Sequence, residues 1–173
     1  DPASNACAII DSVMNLDYPS GTISFTGADQ IIAFIMNNKL KLEWILETHV
    51  HADHLSAAPY IQRRLGGKIA IGFNISVVQE TFAPVFGAEP GFARDGSQFD
   101  LLLRDGDTIL VGHMAGTAMH APGHTPACMT YVLGDAVFVG DTLFMPDGGT
   151  ARADFPGGDA HVLYQSIQRI LSL

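Results

Sequence analysis

The chain has 173 residues, 47% of them hydrophobic and 16% charged, so a disordered or collagen-like polypeptide is excluded and a sizeable core can form. Eighteen acidic side chains against nine basic ones give a net charge of −9, which repels phosphate backbones, so we expect no nucleic-acid partner. No apolar run approaches the ~20 residues that span a bilayer, so we expect no membrane partner. The two cysteines, Cys7 and Cys128, form neither a CxxC pair nor a disulfide framework, which favours a reducing, cytoplasmic location.

Strand-like and helix-like segments alternate over the first half of the chain. Apolar side chains after Ala28 recur at helical spacing, and Thr26 and Asp29 resemble a capping box that would begin this helix. Gly66 and Gly67 end the next helical segment. The patterns predict, in chain order, a strand at 6–10, a helix at 28–38, a strand at 44–46, a helix at 55–65, a strand at 68–71 and a helix at 75–82.

The second half of the chain, from Phe99 onward, is rich in strands. Turn signals separate strand-like pieces at 100–103, 108–112, 115–120, 128–133 and 136–140. A last helix is predicted from Asp159, and the residues on its apolar face are Leu163, Ile167, Ile170 and Leu171. Strands that alternate with helices, followed by a strand-rich half and a helix, predict an α/β fold of mixed sheets with helices packed outside.

Residues 1–173 are interpreted as a single domain, because no repeat, low-complexity tract or linker-like stretch interrupts them. Asp1 falls where a preceding strand is expected, and Leu173 ends the chain inside or just after a helix. We therefore expect a domain that is truncated at both ends and incomplete at its C-terminus.

Four side chains of the kinds that bind metals occur within six residues: His49, His51, Asp53 and His54. Imidazole and carboxylate groups hold Zn, Fe, Mn and similar ions. If the strand from Trp44 continues through His51, the two histidines of the H-x-H pair project to the same face. Asp53 and His54, at the start of the next helix, could then complete a site for one or two ions. In the alternative interpretation Asp53 caps that helix, which leaves three histidines unexplained.

Two later segments offer further ligands. His124 lies in a Pro-Gly-His-Thr turn, and Asp141 follows the apolar strand at 136–140. A carboxylate in this place is costly to desolvate unless it is paired or bound to metal, and Gly140 leaves room beside it for another backbone or a ligand. Alone, His124 could be an exposed turn residue and Asp141 a structural cap. Together with the H-x-H-x-D-H motif, both are interpreted as ligands.

The motif at 49–54, the Pro-Gly-His-Thr turn at 122–125 and Gly-Asp-Thr-Leu-Phe at 140–144 together resemble the metallo-β-lactamase superfamily over most of the chain. This resemblance implies an αββα sandwich of two mixed sheets, with metal at one edge. Within the superfamily the chain is most similar to the persulfide dioxygenases, especially the bacterial branch named β-lactamase-like hydrolases. The residues that carry this similarity are Glu47-Thr48-His49 with Ala52-Asp53-His54, the segment 122–128, and Arg-Ala-Asp-Phe at 152–155.

The resemblance implies one Fe(II) per chain on His49, His124 and Asp141. Two imidazoles and a carboxylate suit non-haem iron, because open positions remain for a substrate and O₂. The implied reaction oxidises the terminal sulfur of a glutathione-type persulfide with O₂ and releases sulfite and thiol.

The same resemblance implies roles for four further residues, and Cys128 is expected near the site because it follows His124 by four residues. His51, Asp53 and His54 would act as catalytic residues beside the ion, where they orient its ligands and tune their basicity. Arg152 would pair with a substrate carboxylate, unless it only forms a surface salt bridge with a neighbouring acid. Cys128 would touch the substrate or become oxidised, unless it is a small apolar residue packed at the start of a strand.

Two other interpretations stay open. A hydrolase like glyoxalase II would use one or two Zn(II) ions to activate water against a thioester, lactone or lactam. Dinuclear hydrolases of the superfamily use a further histidine, which neither His113 nor His161 matches, and this favours a single iron. The third interpretation is a non-catalytic metal-binding domain. The oligomeric state is also left open, with a homodimer as one expectation.

Overall fold

The computed structural model describes residues 1–51 and 53–173, and eleven strands lie within them. In chain order they are β1 (Ala6–Ile10), β2 (Val13–Asp17), β3 (Thr22–Ser24), β4 (Lys41–Leu46), β5 (Leu55–Ser56), β6 (Lys68–Gly72), β7 (Leu101–Leu103), β8 (Thr108–Val111), β9 (Met114–His120), β10 (Met129–Leu133) and β11 (Ala136–Phe138).

Two four-stranded sheets form the centre of the fold. The first has the order β1-β4-β6-β7 with parallel neighbours, and the second has the order β11-β10-β9-β8 with antiparallel neighbours. A small antiparallel sheet has the order β3-β2-β5. Helical crossovers connect the parallel strands and short turns connect most of the antiparallel ones, so each half of the chain builds its own kind of sheet.

Four α-helices of the described residues cover the outer faces of the two sheets: α1 (Thr26–Asn37), α2 (Ala58–Leu65), α3 (Ile75–Phe82) and α4 (Ala160–Leu171). Side chains of β4 alternate between two cores, because successive residues of a strand point to opposite faces. Leu46 packs between the sheets against Tyr131, whereas Ile45 packs against Ile32 of α1. Ile170 of α4 packs on the outer face of the second sheet. The α/β fold class predicted from the sequence is confirmed.

None of the helices in these described ranges is long and apolar enough to cross a membrane.

Two predicted helix starts differ from the structure. The helix predicted at 55–65 begins at Ala58, after β5. Pro59 lies in its first turn, where backbone N–H groups have no partner within the helix, so proline is tolerated there. The capping box predicted for α1 is wrong. Although α1 begins at Thr26, the carboxylate of Asp29 accepts a hydrogen bond from the Tyr60 hydroxyl (2.6 Å) and caps nothing.

Other boundaries also differ. The strand predicted at 136–140 ends at Phe138, and residues 140–142 form a 3₁₀ turn, because Gly140 adopts a φ of 52°, which is incompatible with a strand. The apolar face predicted for α4 wrongly includes Leu171, which is exposed, while Ser166 is buried and donates to the Pro122 carbonyl. The sequence patterns did not predict β2, β3 or β5, which are short strands with many exposed residues.

Candidate metal centre

Four segments meet at one end of the two central sheets. Because β1 and β4 are parallel neighbours, Asp11 and the segment 47–51 leave the first sheet side by side. The loop 121–128 connects β9 to β10, and Asp141 lies in the turn that follows β11. Residues that are far apart in sequence are therefore brought together here.

The loop after β4 departs from its predicted geometry. β4 ends at Leu46, so the strand does not continue through His51, and the prediction that His49 and His51 project from it to the same face is wrong. The backbone N–H of Thr48 donates to the carboxylate of Asp11 (2.7 Å) instead of to a neighbouring strand. The irregular loop nevertheless brings the rings of His49 and His51 to a centroid separation of 4.0 Å.

His49, His124 and Asp141 face one another. The Nε2 atoms of His49 and His124 lie 3.6 and 3.5 Å from the same oxygen, Oδ2 of Asp141. The three potential ligand atoms all lie within 4.8 Å of one another, and both histidines are buried. Two imidazole nitrogens and a carboxylate oxygen thus converge on one point, which is a donor set that transition metals prefer.

A chain of hydrogen bonds orients His49. The Thr48 hydroxyl donates to Oδ2 of Asp11 (2.8 Å), so it can only accept from Nδ1 of His49 (3.0 Å), which must carry the proton. The lone pair of the neutral ring then lies on Nε2, the atom that faces Asp141. Burial lowers the pKa of His49 to about 3, with smaller contributions from His51 and His124, so the ring is neutral at pH 7.

A backbone carbonyl orients His124 in the same sense. Nδ1 of His124 lies 2.7 Å from the carbonyl oxygen of Arg152, which can only accept. The proton therefore sits on Nδ1 and the lone pair on Nε2. Such outer hydrogen bonds are the usual way in which proteins hold a metal-binding imidazole in one tautomer.

Gly140 allows the Thr48 side chain to approach the turn that carries Asp141. A Cβ added at Gly140 would lie 2.5 Å from Oγ1 of Thr48, and the φ of 52° independently favours glycine. The sequence predicted an approach to Gly140 by another backbone or a ligand, whereas the group that lies closest is the side chain of Thr48.

Buried nitrogen atoms next to this triad fit a cation. Nε2 of His51 and Nε2 of His54 are buried and make no hydrogen bond with any residue in the described ranges. An unsatisfied buried polar atom costs about 1–3 kcal/mol, which a bound ion removes. Ligand atoms of His51, Asp53 and His54 form a second group within 4.8 Å, beside the triad. These residues therefore fit a metal cofactor, although the donor types do not distinguish iron from zinc.

Asp11 and Glu47 are two carboxylates that the sequence analysis did not assign to the site. Nε2 of His51 lies 3.3 Å from Asp11 Oδ1 and 3.8 Å from Glu47 Oε2, with poor hydrogen-bond geometry. Burial opposes charge on His51, but Asp11 and Glu47 outweigh it and raise its pKa. Burial raises the pKa of Glu47 to about 7, against the hydrogen bond from Ser56. The sequence feature that could have identified Asp11 is its position directly after an apolar strand, which is the same feature that identified Asp141.

Asp53 lies at the exposed rim of the centre. Its Oδ1 is 3.3 Å from Nδ1 of His54, and its backbone carbonyl accepts a hydrogen bond from the Tyr18 hydroxyl (2.8 Å). The alternative in which Asp53 caps the next helix is wrong, because the residue at the N-cap of α2 is Ala57 and no side chain caps that helix. Ala52, which was part of the resemblance, lies outside the described residues.

The two residues predicted to bind substrate already have partners within the protein. Arg152 is exposed and forms a bidentate ion pair with Asp154 (2.5 and 2.7 Å). Cys128 is buried, its sulfur accepts from the backbone N–H of Thr125 (3.3 Å), and burial raises its pKa to about 11. These placements are those of a surface salt bridge and a packed thiol, and the substrate roles of both residues stay predictions.

Two cavities flank the histidines. The first, of about 320 Å³, is lined by Glu47, His49, His51 and His54 among others. The second, of about 510 Å³, is lined by His51, His124 and a group of phenylalanines. A larger cleft of about 650 Å³, between β1 and β11, contacts Asp11 from the opposite side and contains none of the described histidines. Both cavities therefore reach histidines of the triad, and the lining of each is mostly apolar.

Comparisons with known proteins agree with this architecture. Residues 3–172 match the model of the metallo-beta-lactamase superfamily. The chain is 56% identical to a probable metallo-hydrolase of Burkholderia pseudomallei, over 100% of this chain and 62% of that protein. It is 34% identical to human mitochondrial persulfide dioxygenase ETHE1, over 78% of this chain and 46% of that protein. The crystal structure of ETHE1 from Myxococcus xanthus matches with a TM-score of 0.73 at 28% identity, over 99% of this chain and 61% of that one.

The chain thus spans less than two thirds of the length of each of these relatives. It is similar to persulfide dioxygenases in sequence and in fold. By its fold, its converging histidines and carboxylates and its match over almost the whole length, the chain belongs to the metallo-beta-lactamase superfamily.

Proposed function

We propose that this chain carries the active site of an iron-dependent persulfide dioxygenase, which oxidises the outer sulfur of a low-molecular-weight persulfide with O₂. The observation that carries the proposal is the triad of His49, His124 and Asp141, with both Nε2 atoms held facing one carboxylate oxygen. The similarity to ETHE1 proteins supports the choice of reaction.

The proposed reaction with O₂ is the reason for choosing iron. Fe(II) held by two imidazoles and a carboxylate supplies the one-electron chemistry with O₂ that protein side chains lack. His49 and His124 present neutral donors, because the Thr48 hydroxyl and the Arg152 carbonyl hold their protons on the far side of each ring. Asp141 adds one negative charge, which offsets part of the charge of a divalent ion.

The reaction balances with water as a reactant. A persulfide, O₂ and water give a thiol, sulfite and two protons, so the outer sulfur loses the four electrons that O₂ gains. Proton carriers are therefore needed near the triad. His51, whose pKa is raised by Asp11 and Glu47, can hold a proton at Nε2 within its buried cluster.

Metal content and oxygen uptake test the proposal on the same preparation. We expect protein purified without oxygen and supplied with Fe(II) to hold about one iron per chain and to consume O₂ with a low-molecular-weight persulfide, either that of glutathione or that of an alkyl thiol. Asp141→Ala should lose the iron, and His49→Ala should lose at least 100-fold in activity, because each removes a donor. His161→Ala is the matched control, since His161 is exposed on α4 and its ring hydrogen-bonds with Gln165. Two zinc ions per chain with no oxygen uptake, or equal losses in His49→Ala and His161→Ala, would reject the proposal.

A metal-dependent hydrolase is the second candidate. It is favoured by the second group of potential ligands, His51, Asp53 and His54, which could hold another ion beside the triad, and by the similarity to a probable metallo-hydrolase. Such an enzyme would activate water against a thioester. Zinc-loaded protein that cleaves a thioester of glutathione, with iron-loaded protein inactive towards persulfide, would establish this alternative in place of the first.

A further inference from the structure

An apolar cavity adjoins the metal centre and is not explained by an ionic substrate. It measures about 510 Å³, and His51 and His124 form its inner end. Farther from the centre its wall is made of phenylalanine side chains: Phe82, Phe86, Phe92, Phe99 and Phe155. We call this space the aromatic cavity.

Aromatic rings lead continuously from the metal centre to the surface. The ring of His124 meets that of Phe155 at 5.5 Å, Phe155 meets Phe82 at 6.4 Å, and Phe82 stacks with Phe86 at 5.8 Å between centroids. The outer end is uncovered, since Phe86 is 77% exposed and Phe92 is 42% exposed. Large apolar side chains left in contact with water beside a reactive centre are typical of a surface that a ligand covers.

The charge of the cavity wall argues against an ionic substituent. Apart from its two histidines, the wall contains no ionisable side chain among the residues that the structure describes. Two cations lie on flanking segments and are paired with carboxylates. Arg94 pairs with Glu80 (3.3 Å), and Arg152 pairs with Asp154 while its guanidinium lies 4.9 Å from the centroid of the Phe155 ring. A substrate carboxylate in this space would lose its hydration without gaining a free cation.

We propose that the aromatic cavity binds an apolar substituent of the sulfur substrate, so that the preferred substrate class is an alkyl or aryl thiol derivative and not an ionic tripeptide. The inference rests on the proposed function for the position of the reacting sulfur, which lies at the inner end beside His124. An alkyl chain that extends from this point along the aromatic rings covers the exposed faces of Phe86 and Phe92. Each methylene buried in this way strengthens binding by up to about fourfold.

Thiol binding to the zinc-loaded protein tests this inference without relying on turnover. We expect calorimetry to show that 1-hexanethiol binds about 10- to 200-fold more tightly than ethanethiol, because four additional methylenes enter the aromatic cavity. Glutathione should bind no more tightly than ethanethiol. Phe86→Ala and Phe92→Ala should each weaken hexanethiol binding about 3- to 10-fold and leave ethanethiol unchanged. Phe34→Ala, at a 61% exposed phenylalanine on α1 that does not line the cavity, should change neither.

Several outcomes would overturn the inference. They are equal affinities for the two alkyl thiols, tighter binding of glutathione than of hexanethiol, and equal losses in Phe34→Ala and Phe86→Ala. A dimer in sedimentation experiments that Phe86→Ala dissociates would mean that a second copy, and not a substrate, covers the rings. Failure of the proposed function is distinguishable, because hexanethiol would still bind in a Phe86-dependent manner while its persulfide caused no oxygen uptake.

Discussion

Thr48 lies between Asp11 and His49, and its single hydroxyl proton decides which nitrogen of His49 faces the metal centre. The proton goes to Asp11, so the oxygen accepts from Nδ1 of His49 and leaves Nε2 free. Asp11 is itself held in an unusual backbone conformation, with a φ of 50°. Its carboxylate thereby reaches both the backbone and the hydroxyl of Thr48.

At this scale we predict that Thr48→Val lowers metal affinity about 10- to 100-fold while the fold is retained. Valine has the shape of threonine but cannot accept from Nδ1, so the proton of His49 is free to move to Nε2 and block the donor atom. Metal affinity measured by competition with a chelator checks this expectation. The matched control is Thr130→Val, because the Thr130 hydroxyl is also buried and makes no hydrogen bond with the described part of the chain. Equal losses in both variants would contradict the role assigned to Thr48.

The turn that carries His124 depends on its contact with α4. A Cβ at Gly123, whose φ is 135°, would lie within 2.3–2.5 Å of the backbone and Cβ of Leu163. The backbone N–H of Asp159, which caps α4, donates to the Gly123 carbonyl (2.9 Å). The first turn of α4 and the turn that presents His124 are therefore packed as one unit, and a change in either displaces a candidate ligand.

We predict that Gly123→Ala lowers the free energy of unfolding by about 3 kcal/mol or more and also weakens metal binding, because the new methyl group must push α4 away. Gly66→Ala separates this clash from backbone strain, since Gly66 has a φ of 73° with no atom within 4 Å of an added Cβ. That control should cost about 1–3 kcal/mol, because Gly66 combines its positive φ with a ψ of −145°, and it should leave metal binding unchanged. Chemical denaturation measures both effects, and similar losses for the two variants would show that contact with α4 is not the cause.

The candidate ligands belong to two different sheets. His49 follows β4 of the parallel sheet, whereas His124 and Asp141 follow β9 and β11 of the antiparallel sheet. Existing links between the sheets at this end include the hydrogen bonds from the Met129 N–H to the Thr48 carbonyl (2.8 Å) and from the Tyr131 hydroxyl to the Glu47 carbonyl (2.8 Å). An ion on the triad would add a further cross-link between the two layers.

For the whole molecule we therefore predict that metal removal lowers stability. A free metal concentration of about 100 times the dissociation constant stabilises the folded state by about 2.7 kcal/mol, which corresponds to a rise in Tm of about 5–10 °C for a chain of this size. Thermal unfolding with added metal and with a chelator measures the difference. Asp141→Ala should lose most of this shift. An undiminished shift in that variant would mean that the ion binds elsewhere.

Local sequence patterns predicted most of the elements that position the site. Apolar periodicity and turn residues located every α-helix of the described residues and eight of the eleven strands, with boundary errors of a few residues. These elements can be predicted because the apolar periods of helices and strands, and the backbone conformations that glycine and proline allow, are properties of a few neighbouring residues. The H-x-H-x-D-H motif and the later His124 and Asp141 were likewise recognisable, since ligand chemistry belongs to the residue types themselves.

The sequence by itself therefore determined the fold class and named the candidate donors, while the tertiary structure decided how those donors are held. Asp11 and Thr48 are 37 residues apart, and only the parallel pairing of β1 with β4 shows that they control the tautomer of His49. The aromatic cavity is also a tertiary feature, because Phe86 and Phe155 come from separate segments that have no common pattern. Hydrogen-bond direction, burial and cavity shape depend on contacts between distant residues, and local periodicity carries no information about such contacts.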